Sequence, residues 1–131
     1  MSVAAARRAR DRWVFLHGHA DLRERDLMDR ADLSAGLASV LAVQHALEVA
    51  GIGAYDLATI DLYSCFPAPV FNICDGVGLD PGDPRGLTLT AKLPFFGGAG
   101  NNYSVHAIAE TVQRAGATSA ATGWSAPTAA S

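Results

Sequence analysis

Tyr63, Cys65, Tyr103 and His106 are the residues of this 131-residue chain whose types and placement are suited to chemistry. A tyrosine can donate to a developing oxyanion, and with a lowered pKa it can also take a proton. Tyr63, Cys65 and Phe66 follow an apolar run, at the kind of strand end where a side chain stays accessible. Packing is the plain alternative for either tyrosine: Tyr63 at a strand end, Tyr103 over the start of a helix. Cys65 has no basic neighbour in sequence to lower its pKa, and the structural reading is favoured over a nucleophile. Cys74 lies in an apolar helical segment, where that reading is stronger still. Gly97, Gly98, Ala99 and Gly100 form a turn followed by Asn101 and Asn102. Backbone N–H groups there, at the start of a helix, could hold an anion or oxyanion. The glycines equally suit positive φ and tight strand-to-helix packing. The turn is neither a dinucleotide fingerprint nor a P-loop. His106 reads as a partly buried histidine or as a catalytic group. His17 and His19 lack a third ligand for a metal, so a loop reading wins and no metal is expected.

Elements must position these groups. Residues 12–18 (RWVFLHG) read as a buried strand and residues 20–32 as a charged connection with a helical turn. A helix follows, with Leu33, Leu37, Val40, Leu41 and Leu47 on one inward face. Asp32 is expected to cap its first turn and Gly51 to end it. Residues 57–64 read as a second strand, stopped by Pro67 and Pro69; residues 70–79 as a brief helix; residues 80–86 (DPGDPRG) as a turn. The Thr/Leu alternation of residues 87–93 reads as a third strand. The last helix starts near Asn102, capped by Asn101 and Asn102, and turns Val105, Ile108, Ala109 and Val112 inward. Strand and helix alternate, so the expected class is α/β, with sites at the carboxyl ends of the strands.

The bulk numbers narrow the functions. Half the residues are apolar, 18% are charged and the net charge is −3, which suits a soluble globular domain and disfavours a nucleic-acid surface. The arginines at 7, 8, 10 and 12 are offset by nearby acids. Neither a signal peptide nor a membrane span is expected, and the chain reads as cytoplasmic. Cys65 and Cys74 suggest neither a disulfide framework nor zinc. Residues 1–116 are expected to form the domain. Residues 117–131 form a small-residue, low-complexity tail, expected to be disordered.

Two stretches, DLYSCFPAPV (61–70) and LTLTAKLPFFGGAGNNYSVHAIAETV (87–112), resemble the C-terminal half of the thiolase superfamily, in its thiolase-like, sterol-carrier-type branch. RWVFLHGHADL and ALEVAGIGAYDLATIDLYSCFP fit the same branch. The resemblance covers residues about 5 to 115. It implies a thiolase-like C-terminal lobe, with a mixed sheet flanked by helices and incomplete. It also implies acyltransferase chemistry on acyl-CoA thioesters, with acyl-CoA as substrate and no other cofactor. The nucleophilic cysteine would belong to a separate N-terminal lobe.

The motifs of that family are altered here. Tyr63-Ser64-Cys65-Phe66 stands in place of Asn-Glu-Ala-Phe, and Gly97-Gly98-Ala99 in place of Gly-His-Pro. The late Cys-x-Gly motif has no counterpart in the tail, as in a truncated or frame-shifted product. Some members of the branch are retro-aldolases that work with an OB-fold partner through a tyrosine pair, and Tyr63 and Tyr103 match its positions. The resemblance therefore implies Tyr63, Tyr103 and His106 as catalytic candidates. Cys65, Phe66, Gly97, Gly98, Gly100, Asn101 and Asn102 would line the substrate. A non-catalytic acyl-CoA- or lipid-binding or assembly module remains the alternative, and a homodimer is one possible assembly.

Overall fold

The computed structural model describes residues 2–9, 14–90, 93–97, 100–117 and 123–125. In chain order these form helix α1 (Val3–Ala9), α2 (Leu37–Ala50), strand β1 (Thr59–Asp61), α3 (Pro67–Val77), α4 (Leu93–Phe96), α5 (Tyr103–Ala117) and strand β2 (Gly123–Ser125). No helix among the described residues is long and apolar enough to cross a membrane.

Helix α2 is the longest element before the site, and both of its ends have a physical cause. At its start Gly36 offers no side-chain cap. The carboxylate of Glu24, fourteen residues back, accepts from the Ala38 N–H at 2.9 Å instead. That bond, ahead of a second from the Arg25 N–H, holds the Glu24 carboxyl below the usual range. Asp32 does not cap the helix as expected: it closes a local turn, accepting from the Ser34 N–H at 2.8 Å and the Ser34 hydroxyl at 2.6 Å. At the other end Gly51 takes φ 68°, the left-handed conformation that glycine adopts without strain.

The buried face of α2 matches the expected one only in part. Leu47 is buried and Val40 packs against the core as expected, joined by Ala38, Val43 and Ala46, whereas Leu33, Leu37 and Leu41 are exposed. The helix is apolar on more than one side, so spacing alone does not say which side packs. Its contact with α3 decides that. At Gly76 a Cβ would sit 2.3 Å from a Val40 methyl, so the two helices approach at a glycine. Gln44 donates across the crossing to the Gly76 carbonyl at 2.8 Å.

Residues 14–26 contain no regular element, so the expected first strand is absent over 14–18; residues 12 and 13 lie outside the described residues. This segment runs against α2 instead, where a Cβ on Gly18 would meet the Ala46 carbonyl oxygen at 2.1 Å.

The expected strand over 57–64 narrows to β1, and the expected helix over 70–79 begins earlier, with Pro67 in its first turn. The turn over 80–86 forms as expected, held by Arg85. That guanidinium donates to Asp83 and, at 3.1 and 2.6 Å, to the carbonyls of Ala54 and Leu57, which lead into β1.

Residues 87–90 are not a strand. The Leu62 N–H reaches the Leu87 carbonyl at 2.8 Å, but the amides of Leu89 and Thr90 go to the side chain of Asp61. A ladder cannot form when its donors are engaged by a carboxylate. Residues 91 and 92 lie outside the described residues, and α4 follows.

β2, inside the stretch read as an aperiodic tail, pairs in parallel with β1, placing Ile60 opposite Trp124 and Asp61 opposite Ser125. The sheet among the described residues is these two strands. Helix α5 buries Tyr103, Ala107 and Thr111; of the residues expected inward, Val105, Ile108 and Ala109 are exposed and Val112 is half-buried. The core lies between α2, β1 and α3, where Leu47, Leu57, Ile60, Leu62, Ile73 and Cys74 pack together. Fully burying side chains such as Ile60 and Leu62 contributes about 1.5–3 kcal/mol each.

Candidate functional site

The carboxyl end of β1 brings residues from three parts of the chain together. Asp61 ends the strand with its side chain fully buried, and Tyr63 lies two residues on, half-buried. Helix α5 opens with Tyr103, which is 4% exposed. The Tyr63 and Tyr103 rings meet edge to face, with centroids 5.0 Å apart and planes at 72°. Such a pair is attractive beyond its buried area. The two tyrosines singled out in the sequence, forty residues apart, are therefore in contact.

Their hydroxyls sit in different surroundings. The Tyr103 hydroxyl lies 3.1 Å from the Thr90 hydroxyl and donates to Asp61 Oδ2 at 3.5 Å. Asp61 Oδ1 accepts from the Leu89 and Thr90 N–H groups at 2.8 and 3.2 Å, and from the Thr90 hydroxyl at 3.1 Å. Burial, with a smaller contribution from the Asp61 charge, pushes the Tyr103 phenol up to about 12, although the Thr90 hydrogen bond opposes this. Hydrogen bonding to the Cys65 side chain, followed by burial, raises the Tyr63 phenol as well. Both phenols are thus neutral at neutral pH and suited to donate.

Around this pair the other candidates are placed unevenly. Cys65 is a half-buried free thiol beside Tyr63. Cys74 is buried in the core, and burial pushes its thiol up, with Asp75, Asp80 and Asp83 adding to the effect. Phe66 precedes α3 and is largely exposed. His106 sits one turn into α5, half-buried, with its ring 5.8 Å from that of Phe96. Gly97 and Gly100 take φ 94° and 59°, the left-handed region in which a side chain would be strained. Gly98 and Ala99 lie outside the described residues. Gly100, Asn101 and Asn102 form a single 3-10 turn leading into α5. His17 and His19 are exposed, and the described residues contain no group of three or more His, Cys, Asp or Glu side chains that could hold a metal ion.

Three residues escaped the sequence reading. Asp61 and Thr90 form the network beneath the tyrosines, and the buried Ser64 hydroxyl has no hydrogen-bond partner among the described residues. Asp61 carried a signal, because a carboxylate between Ile60 and Leu62 in a strand must find donors when it is buried. Thr90 carried none, since threonine suits the strand expected there.

No protein-family model matches the chain, and no curated protein matches it either. Among solved structures it is similar to the crystal structure of a monomeric SCP2-thiolase-like protein type 1 from Mycobacterium smegmatis. The two are 62% identical with a TM-score of 0.80, over 87% of this chain and 26% of that one. The chain thus spans about a quarter of the length of the structure it matches.

Proposed function

We propose that this SCP2-thiolase-like chain supplies one wall of an acyl-CoA thioester site, as the C-terminal lobe of a thiolase-like acyltransferase that makes or breaks carbon–carbon bonds. The observation that carries the proposal is the tyrosine pair at the carboxyl end of β1, with Tyr63 half-exposed and braced edge-on by a buried Tyr103. A neutral phenol held in one orientation is an effective donor to a thioester oxygen as charge develops on it. Tyr63 takes that role. Tyr103, whose hydroxyl is engaged by Asp61 and Thr90, braces it. Cys65, Phe66, the Gly97–Gly100 turn with Asn101 and Asn102, and His106 extend the wall.

The nucleophile comes from a separate N-terminal lobe, whereas an OB-fold partner belongs to the retro-aldolase alternative. The similar structure is of a protein described as monomeric, which disfavours a homodimer as the means of completing the site. Retro-aldol cleavage falls behind, because it needs a base for the β-hydroxyl and both phenols are pushed away from that state. The altered motifs, Tyr63-Ser64-Cys65-Phe66 and Gly97-Gly98-Ala99 in place of Asn-Glu-Ala-Phe and Gly-His-Pro, favour as a second reading a lobe that binds acyl-CoA without turning it over.

The test measures release of free CoA by the chain alone and mixed with a thiolase N-terminal lobe. Turnover confined to the mixture, and falling about a hundredfold in Tyr63→Phe, is the expected result for an oxyanion donor. Binding without turnover in any mixture selects the second reading. Absence of acyl-CoA binding overturns both.

A further inference from the structure

Asp61 is a fully buried carboxylate, and its hydrogen bonds, as far as the described residues show them, come from neutral donors. A buried charged group is an expensive way to fill a core position, and well-packed apolar residues often do better. What the carboxylate does here that an apolar side chain cannot is hold three separate segments at fixed points. It ends β1, it takes the two amides of residues 89 and 90, and it receives the phenol of Tyr103 at the start of α5. Thr90 bridges the last two, with its hydroxyl 3.1 Å from both Asp61 Oδ1 and the Tyr103 hydroxyl. Beyond Tyr103 stands the ring of Tyr63, at a centroid distance of 5.0 Å.

We infer that Asp61 is a positioning residue: through Thr90 and Tyr103 it fixes the orientation of the Tyr63 ring at the candidate site. The inference rests on the acyl-CoA reading only for its consequence in binding, since the geometry is a property of the chain itself. A side chain that merely filled the core would affect stability and leave the Tyr63 ring where it is. Asp61 instead sets that ring by way of one named neighbour. Misplacing a group at a reacting centre by an ångström can cost about a hundredfold, so a modest tilt of Tyr63 is expected to weaken a polar contact by about tenfold.

The test is carried out on the whole chain with ring-labelled tyrosine, following the Tyr63 ring resonances by NMR. The variants are Asp61→Asn, Tyr103→Phe and the double substitution, alongside the affinity for a non-hydrolysable acyl-CoA ketone analogue, in which a methylene replaces the thioester sulfur and the carbonyl oxygen is kept. Asp61→Asn is close in shape, but it replaces the acceptor facing Tyr103 with a donor. The expected result is a displaced Tyr63 resonance in Asp61→Asn that Tyr103→Phe reproduces, with no further displacement in the double variant. Affinity for the ketone analogue should fall about tenfold in parallel. An unmoved Tyr63 resonance in folded Asp61→Asn overturns the inference, as does a displacement that persists additively without the Tyr103 hydroxyl. A displaced ring with unchanged affinity for the ketone analogue, or with no binding of it at all, upholds the positioning role and removes the acyl-CoA reading instead. Where Asp61→Asn fails to fold, Thr90→Val deletes only the bridging hydroxyl, and the same resonance decides in the same two directions.

Discussion

At the residue scale the account turns on two phenols that differ in what their hydroxyls touch. Tyr103 is buried and tied to Asp61 and Thr90, and its phenol is pushed up to about 12. A group that holds its proton more tightly folded than unfolded contributes stability below the ordinary tyrosine pKa of about 10. That contribution is lost as the pH rises through about 12. Spectrophotometric titration of the phenols should therefore show one late ionisation near 12 that Tyr103→Phe removes. Unfolding midpoints should fall over the same alkaline window in the wild type and less in the variant. Ionisation of all three tyrosines near 10 would contradict the buried network. The pair itself was legible in the sequence, because both tyrosines stand at positions matched to a family motif. The network beneath them was not, because a hydrogen bond between residues 61 and 90 leaves no mark in composition or period.

The elements show where pattern reading succeeds and where it stops. Gly51 ends α2 and the 80–86 turn forms as read, since both rest on local backbone chemistry that a few residues decide. The Thr/Leu alternation of residues 87–93 suits a strand, yet a strand needs a partner, and the Leu89 and Thr90 amides are engaged by Asp61. Helix faces failed for a related reason. Apolar residues lie on more than one side of α2, and beside the expected Leu47 the packed side takes Val43 and Ala46, not Leu33, Leu37 and Leu41. The close approach at Gly76 gives a direct check. Alanine would gain up to about 1 kcal/mol in helix propensity, but its methyl would lie 2.3 and 2.6 Å from the two Val40 methyls. Gly76→Ala is expected to destabilise by about 1–3 kcal/mol, read as a lower urea midpoint. Restoring stability with the added change Val40→Ala would place the strain at this crossing, and a neutral or stabilising Gly76→Ala would contradict the packing.

On the scale of the whole molecule, the described chain leaves many large apolar side chains in contact with solvent. Leu33, Leu37 and Leu41 lie along one side of α2 and its approach, Val105 and Ile108 on α5, and Phe66 and Phe95 near the candidate site. Its sheet among the described residues has two strands, both with an unpaired edge. These surfaces fit a chain that spans about a quarter of the length of the structure it resembles. The central claim is that the end of β1 is an acyl-CoA wall read by Tyr63. Its most direct test is a calorimetric titration of the chain with a non-hydrolysable acyl-CoA ketone analogue, in which a methylene replaces the thioester sulfur and the carbonyl oxygen is kept, comparing wild type with Tyr63→Phe and both with free CoA. The account predicts saturable binding of the ketone analogue that exceeds binding of free CoA and weakens about tenfold when the Tyr63 hydroxyl is removed. Equal affinity of wild type and Tyr63→Phe, or no binding to either protein, would contradict it.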